Sequence, residues 1–174
     1  MSAEQGISWA TLIALAGVLV NLVFNIVNFF ANRTTRRRAV KLSDFNSNVR
    51  APINNALSSL DAIMDGADDI VLSSQSHADK IATTLELSKK FHAVRRILAR
   101  HLNDCDTSNL VRGNDWARCD EGHMDNATEA FDASSQTQDD IDLRTRLLDV
   151  AKSINALRTE IRKKLDDEAK LLMR

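Results

Sequence analysis

ISWATLIALAGVLVNLVFNIVNFFANRTTRRR, residues 7–38, carries no charged side chain before Arg33. From Ile7 to Ala31 the run is 25 residues long. As a helix rising about 1.5 Å per residue it reaches roughly 37 Å, enough to cross a hydrocarbon layer of about 30 Å with some tilt. Trp9 at one end and Phe29-Phe30 at the other suit the two interfaces. Glu4 is the only charge before the run, whereas Arg33, Arg36, Arg37 and Arg38 follow it closely. That bias puts the N-terminus outside and the rest of the chain in the cytoplasm. A cleaved secretory signal would want a basic start, a shorter apolar core and a small-residue cleavage site, and this segment has none of the three.

The polar residues inside the run are not scattered. Asn21, Asn25, Asn28 and Asn32 recur at spacings of four, three and four. At about 100° per residue they fall on one narrow stripe. Gly17, Ala14 and Ala10 extend that stripe toward the N-terminus, so one face is small-residue in its outer half and amide in its inner half. Hydrocarbon cannot partner amides, whereas a second helix or a water-filled lumen can. Small residues also let backbones approach closely. Self-association is the expected remedy, either as a seam of two or three helices or as a larger ring. In a ring, Gly17, Asn21, Asn25, Asn28 and Asn32 would line a neutral pore.

The remaining residues read as a second unit, 39–174, beside a 1–38 anchor. The first 38 residues carry a net charge of +3 and the rest −4, which excludes a nucleic-acid clamp working by bulk electrostatics. One proline, five glycines and no tyrosine argue against a strand-rich fold. Leu42, Phe45, Val49, Ile53, Ala56, Leu60, Ile63, Ala67 and Ile70 keep helical spacing. Pro52 predicts a kink or break near Arg50-Ala51, and Gly66 with the Ser73–Ser76 run predicts the end. Ser76 is placed to cap a second helix, about 77–103, burying Ile81, Leu85, Phe91, Val94, Leu98 and Leu102. Residues 104–125 read as a loop with a turn near Trp116. A short helix follows at about 125–136, with Ala127, Ala130, Phe131 and Ser134 on its apolar side. A long one covers about 139–173, with Leu143, Leu147, Val150, Ile154, Leu157 and Ile161 in an a/d pattern. The fold class is all-α: one transmembrane helix, then a helical bundle.

Two constellations could carry chemistry. Arg96 and His101 form an Arg-x4-His pair: an imidazole can act as acid and base near neutral pH, and a guanidinium can hold a phosphate. With Arg95 and Arg100 they otherwise read as an exposed basic face. His101-x3-Cys105 and Cys119-x3-His123 are mirrored pairs with the donor types of a tetrahedral zinc site, though not the spacing of a known finger. Both readings claim His101. Two cysteines are too few for a disulfide framework. Arg158, Arg162, Lys163 and Lys164, beside Asp166, Asp167 and Glu168, read as solvated pairing on the last helix, and His77 and His92 as helix-start and surface histidines.

The Arg96/His101 pair in a bundle of about four helices resembles the HEPN superfamily, whose members include metal-independent RNases. With the span at 7–31, the whole chain resembles the small membrane accessory proteins encoded beside the RNA-guided RNase of type VI-B CRISPR systems. That resemblance implies a homo-oligomeric pore in the bacterial inner membrane that enhances antiphage defence by depolarisation. It also implies an RNA-guided RNase, or RNA, as partner besides the bilayer and further copies of the chain. Asn21, Asn25, Asn28 and Asn32 become pore residues, and Arg96 and His101 a remnant pair. Ile97 stands where the superfamily commonly has Asn, Asp or His, so the resemblance implies a pore rather than a nuclease. No cofactor is implied. The alternatives are a membrane-tethered HEPN-type ribonuclease and a non-enzymatic scaffold or holin-like protein.

Overall fold

Pro52 has no N–H to donate, and the helix containing it responds by changing its hydrogen-bond pattern rather than by stopping. In the computed structural model, which describes residues 9–113, 115–119 and 121–173, helix α1 runs Trp9–Phe45 and a π-helical segment follows over Asn46–Arg50. Helix α2 then covers Ala51–Leu72, with the proline in its first turn. The Ala51 N–H reaches Asn46 O, five residues back. The break expected at Arg50-Ala51 is thus a π turn, the wider ring absorbing the donor that Pro52 lacks. Helices α3 (His77–Thr107), α4 (Glu121–Ser134) and α5 (Asp140–Met173) complete the chain, with a 3₁₀ turn at Ala117–Cys119 and no strand among the described residues. The fold is all-α.

The chain divides into two units, residues 1–40 and 41–174. In the second, α2 packs on α3 and α5, and α4 packs on α5 and α3. Polar pairs give the directions. Arg50 at the start of α2 meets Asp166 late in α5, and Asp61 meets Arg158. Arg95 of α3 meets Asp125 at the start of α4, and His123 of α4 meets Glu160 of α5. Each helix therefore runs antiparallel to its two neighbours, an up-down-up-down bundle with short turns after α2 and α4.

The a/d seam of α5 belongs to the core. Leu143, Leu147, Val150, Ile154, Leu157 and Ile161 are all buried, and Leu165, Ala169 and Leu172 extend the series. Phe45, Ile53, Leu57 and Leu60 face them from the first half of the unit, with Phe91, Leu98 and Leu102 from α3 and Met124, Ala127 and Phe131 from α4. Phe91 and Phe131 stack at 5.2 Å between centroids. At roughly 1.5–3 kcal/mol per large side chain, this burial is the main source of stability. Gly66, expected to mark the end of α2, lies inside it. A Cβ there would meet Leu87 Cδ1 at 3.0 Å, so the glycine permits close approach of α3.

Helix α3 departs from the expected burial at its N-terminal end. Leu85 is exposed, while Lys80, Thr84 and Leu87 take the inner positions. Lys80 lays its aliphatic stem in the core and sends Nζ to Asp140 Oδ2, 2.6 Å away. Ser76 caps the helix as expected, accepting from Asp79 N. His77 does more than start a helix: Nδ1 lies 2.7 Å from Asp140 and Nε2 3.1 Å from Thr137 O. It thereby joins the start of α3 to the start of α5.

Asp140 and Thr137 raise the His77 pKa above its ordinary 6.5, mainly through these hydrogen bonds. A raised folded-state value means that the stabilisation is fully present below about pH 6.5 and is lost as pH rises through the folded pKa. The melting temperature of wild type should therefore exceed that of His77→Ala by more at pH 5.5 than at pH 8.5. An equal gap at both values would show that protonated His77 contributes nothing.

The loop between α3 and α4 is held by a buried carboxylate. Glu168, expected in a solvated run, is only 3% exposed and accepts the backbone N–H groups of Arg112 and Gly113. A Cβ on Gly113 would lie 3.1 Å from Glu168 Oε2 and 3.6 Å from Trp116 Nε1, so a side chain there would press on the carboxylate. Asp106 accepts from the N–H groups of Trp116 and Ala117, and Trp116 is fully buried. Replacing Glu168 by Ala leaves two inward N–H groups without their acceptor. It should cost about 2–3 kcal/mol in chemical denaturation and red-shift Trp116 emission; an unchanged midpoint would refute the clamp.

Candidate functional site: the amide stripe of the N-terminal helix

Between Trp9 and Val40 every described side chain of α1 is exposed, and none of its membrane-length apolar stretch is buried within the chain. It is the one helix among the described residues long and apolar enough to cross a membrane. Val18, Leu19, Val20, Leu22, Val23, Phe24 and Val27 are each more than half exposed, whereas the core residues of α2 and α5 are almost wholly enclosed. A helix this apolar with no cover of its own requires lipid or other protein around it. Glu4, the start of the expected span at Ile7, and the side chain of Ala10 lie outside the described residues.

Asn21, Asn25, Asn28, Asn32 and Gly17 share one side of α1 and are all exposed. Unbroken α-helical geometry through Phe45 keeps their four-three-four register, and a Cβ on Gly17 would meet nothing within 4 Å. The amides partner one another sparingly. Asn25 Nδ2 donates to Asn21 Oδ1 at 3.4 Å. Each amide offers two donors and a two-lone-pair acceptor, so one long bond leaves nearly all of the stripe's capacity open. Thr34 and Thr35 solve the same problem locally, each donating its hydroxyl to the carbonyl four residues back at 2.9 Å. Phe29 and Phe30 meet edge to face at 5.8 Å, and the exposed Arg33, Arg36, Arg37 and Arg38 follow.

Within one chain Arg96 and His101 do not converge, the HEPN-type pairing being one made across a dimer. Helix α3 continues past both to Thr107, so the pair is separated by about 140° around the axis and roughly 7.5 Å along it. Arg96 is exposed, His101 half-buried and Ile97 exposed. Arg95 is no part of a free basic face. Its guanidinium spans Asp125 at 2.6 Å and the Thr128 hydroxyl at 2.8 Å, tying α3 to α4.

The mirrored zinc pairs do not converge either. Among the described residues no group of three or more His, Cys, Asp or Glu could hold a metal, so His101, Cys105, Cys119 and His123 make no zinc site. Three of the four are engaged in packing or pairing within the bundle. His123 lies 3.3 Å from Glu160. Cys105 and Cys119 are buried thiols. Lys164, read as a solvated partner, donates to Cys119 Sγ at 3.3 Å and to Asp115 O at 2.9 Å, with its ammonium 5.0 Å above the Trp116 ring. Asp115 adopts φ 64°, the left-handed region that turns its carbonyl to Lys164. Arg158 likewise crosses to Asp61, 3.0 Å away, rather than pairing along α5.

Lys80, Thr84 and Glu168 are buried although charge or a hydroxyl group ordinarily places a residue in solvent. For Glu168 a signal existed: Ile161, Leu165, Glu168 and Leu172 continue the four-three-four seam. A carboxylate at a core position implies donors aimed at it.

Burial and the flanking Asp104 and Asp106 push the Cys105 thiol up to about 12. At pH 8 its thiolate fraction is then on the order of 10⁻⁴, and alkylation by iodoacetamide should be far slower than in urea-unfolded chain. Mass spectrometry of the Cys105 peptide reads this; equal rates folded and unfolded would contradict the buried thiol.

Compared with known protein families, curated proteins and solved structures, the chain matches none.

Proposed function

We propose that the protein is a single-pass membrane protein that self-associates through the Asn stripe of α1 to form a polar-lined pore, with its helical bundle in the cytoplasm. The observation that carries this reading is the stripe itself. Four amides share one side of an apolar helix, are exposed in the single chain, and have one weak bond among them. In hydrocarbon each unpartnered amide costs several kcal/mol. Helix association through small and amide residues returns about 0.6–2 kcal/mol per contact, repeated at each level of the stripe. A seam of two or three helices would bury the amides at its axis. A larger ring would leave them lining water, with the Leu, Val, Ile and Phe faces turned to lipid.

The bundle would serve as the part that senses or couples. Its resemblance to HEPN domains rests on a bundle of about four helices and on the Arg96/His101 pair. Ribonuclease chemistry at Arg96 and His101 draws no support from one chain, because the two side chains diverge around α3. On the resemblance to the type VI-B accessory proteins, the setting is the bacterial inner membrane, the N-terminus lies outside, and depolarisation enhances antiphage defence beside an RNA-guided RNase.

The test is conductance of the purified oligomer across a planar bilayer, alongside its mass in detergent. A ring of six or more subunits with measurable conductance is expected. Asn25→Leu with Asn28→Leu should abolish conductance while leaving the helix in the membrane. A dimer without conductance would reduce α1 to an anchor, and undiminished current in the double variant would remove the amides from the pore wall.

A further inference from the structure

Arg33, Arg36, Arg37 and Arg38 serve the reading so far only as a charge bias. Their placement on α1 says more. All four are exposed, and none forms an ion pair or hydrogen bond among the described residues. Four adjacent guanidiniums without carboxylates repel one another and gain most from an external anion. The side they face is fixed by the same helical phase as the amides, because α1 is regular from Trp9 to Phe45. Measured from the centre of the Asn stripe, Arg36 lies about 50° round the axis. Arg33 and Arg38 lie about 110° to either side, and Arg37 about 150° away. Three of the four thus point to the side that carries the apolar residues. Phe29 and Phe30, one turn earlier, set the depth at which aromatic rings meet headgroups.

We propose that Arg33, Arg37 and Arg38 form an anionic-phospholipid binding collar on the lipid-facing side of α1, selective for headgroups with a net negative phosphodiester. The proposal rests on the membrane reading of α1 and on the stripe facing inward. Guanidiniums suit it, since the planar fork takes two phosphate oxygens at once and sheds water more readily than an ammonium does. Arg36, nearer the stripe, faces the neighbouring subunit and contributes less. The selectivity weakens as salt rises, because the collar sits in the headgroup layer within reach of screening ions.

The test reconstitutes the full chain in phosphatidylcholine vesicles containing a trace of spin-labelled phosphatidylglycerol or spin-labelled phosphatidylcholine. Electron paramagnetic resonance then gives the motionally restricted fraction of each. Wild type should favour phosphatidylglycerol about fivefold or more at low ionic strength. Joint Arg33→Gln, Arg37→Gln and Arg38→Gln should bring the two lipids to parity, whereas Arg36→Gln should keep at least half of the preference. Parity in inserted wild-type protein overturns the collar, as does Arg36→Gln acting as strongly as Arg37→Gln. Inorganic phosphate should lower the preference no more than chloride at equal ionic strength; specific displacement by phosphate would assign the patch to a free anion and overturn the lipid. Alkaline carbonate extraction separates the two levels. Chain that stays in the pellet yet shows parity defeats the collar alone, and chain that is stripped off defeats the membrane reading beneath it.

Discussion

Every amide, carboxylate or ammonium withdrawn from water must find a partner, and the two units of this chain meet that obligation in opposite ways. In the bundle the partners are internal. Glu168 takes two backbone N–H groups, Lys80 reaches Asp140, Lys164 spans a carbonyl and a thiol, and Arg95 forks between Asp125 and Thr128. These contacts are closed within one chain. On α1 the obligation is left open, with a row of amides satisfied by little more than one bond between Asn25 and Asn21. The bundle partners most of its buried polar groups, Trp116 Nε1 being one exception, and the open row on α1 is the surface on which the proposed self-association rests.

The bundle's closed network has a division of labour. Apolar burial along α5 supplies the bulk of the stability, and the polar ties choose which neighbours meet and at what height. His77 and Lys80 converge on Asp140 where α3 and α5 begin. Glu168 and Lys164 secure the α3–α4 loop near the other end of α5. Because both ends of α5 are tied, its sliding by one turn would break polar contacts at each end as well as the seam. Asp140 is half exposed, so its ties add little net free energy and act mainly by fixing which turns meet.

Periodicity made the helices legible, and context decided what it could not reach. The α5 seam, the Ser76 cap and the apolar side of α4 follow from spacing alone, because a 3.6-residue repeat leaves few ways to bury a stripe. Pro52 was legible as a disturbance but not as a π turn, since that choice depends on which carbonyls are free one residue further back. Lys80 takes an inner position that spacing alone gave to an apolar residue, because Asp140, sixty residues away, supplies its ammonium with a partner. Arg96 and His101 are close in sequence but diverge around one continuous helix, so a HEPN-type pairing would need a second copy of the chain. The amide stripe needed only the register of one helix, so it was the part of the candidate site that sequence could carry.

The Glu168 clamp also bears on the order of assembly. The α3–α4 loop leaves the ribosome well before the carboxylate that holds it, so Trp116 and the two thiols wait without their cover until α5 has been made. The amide-bearing helix, by contrast, is complete at the outset and needs nothing from later residues to take up its register. During synthesis, neighbouring nascent chains on one message could therefore engage through α1 while each bundle is still open. For the proposed self-association, polysome spacing rather than diffusion of finished protein would then set how quickly copies meet.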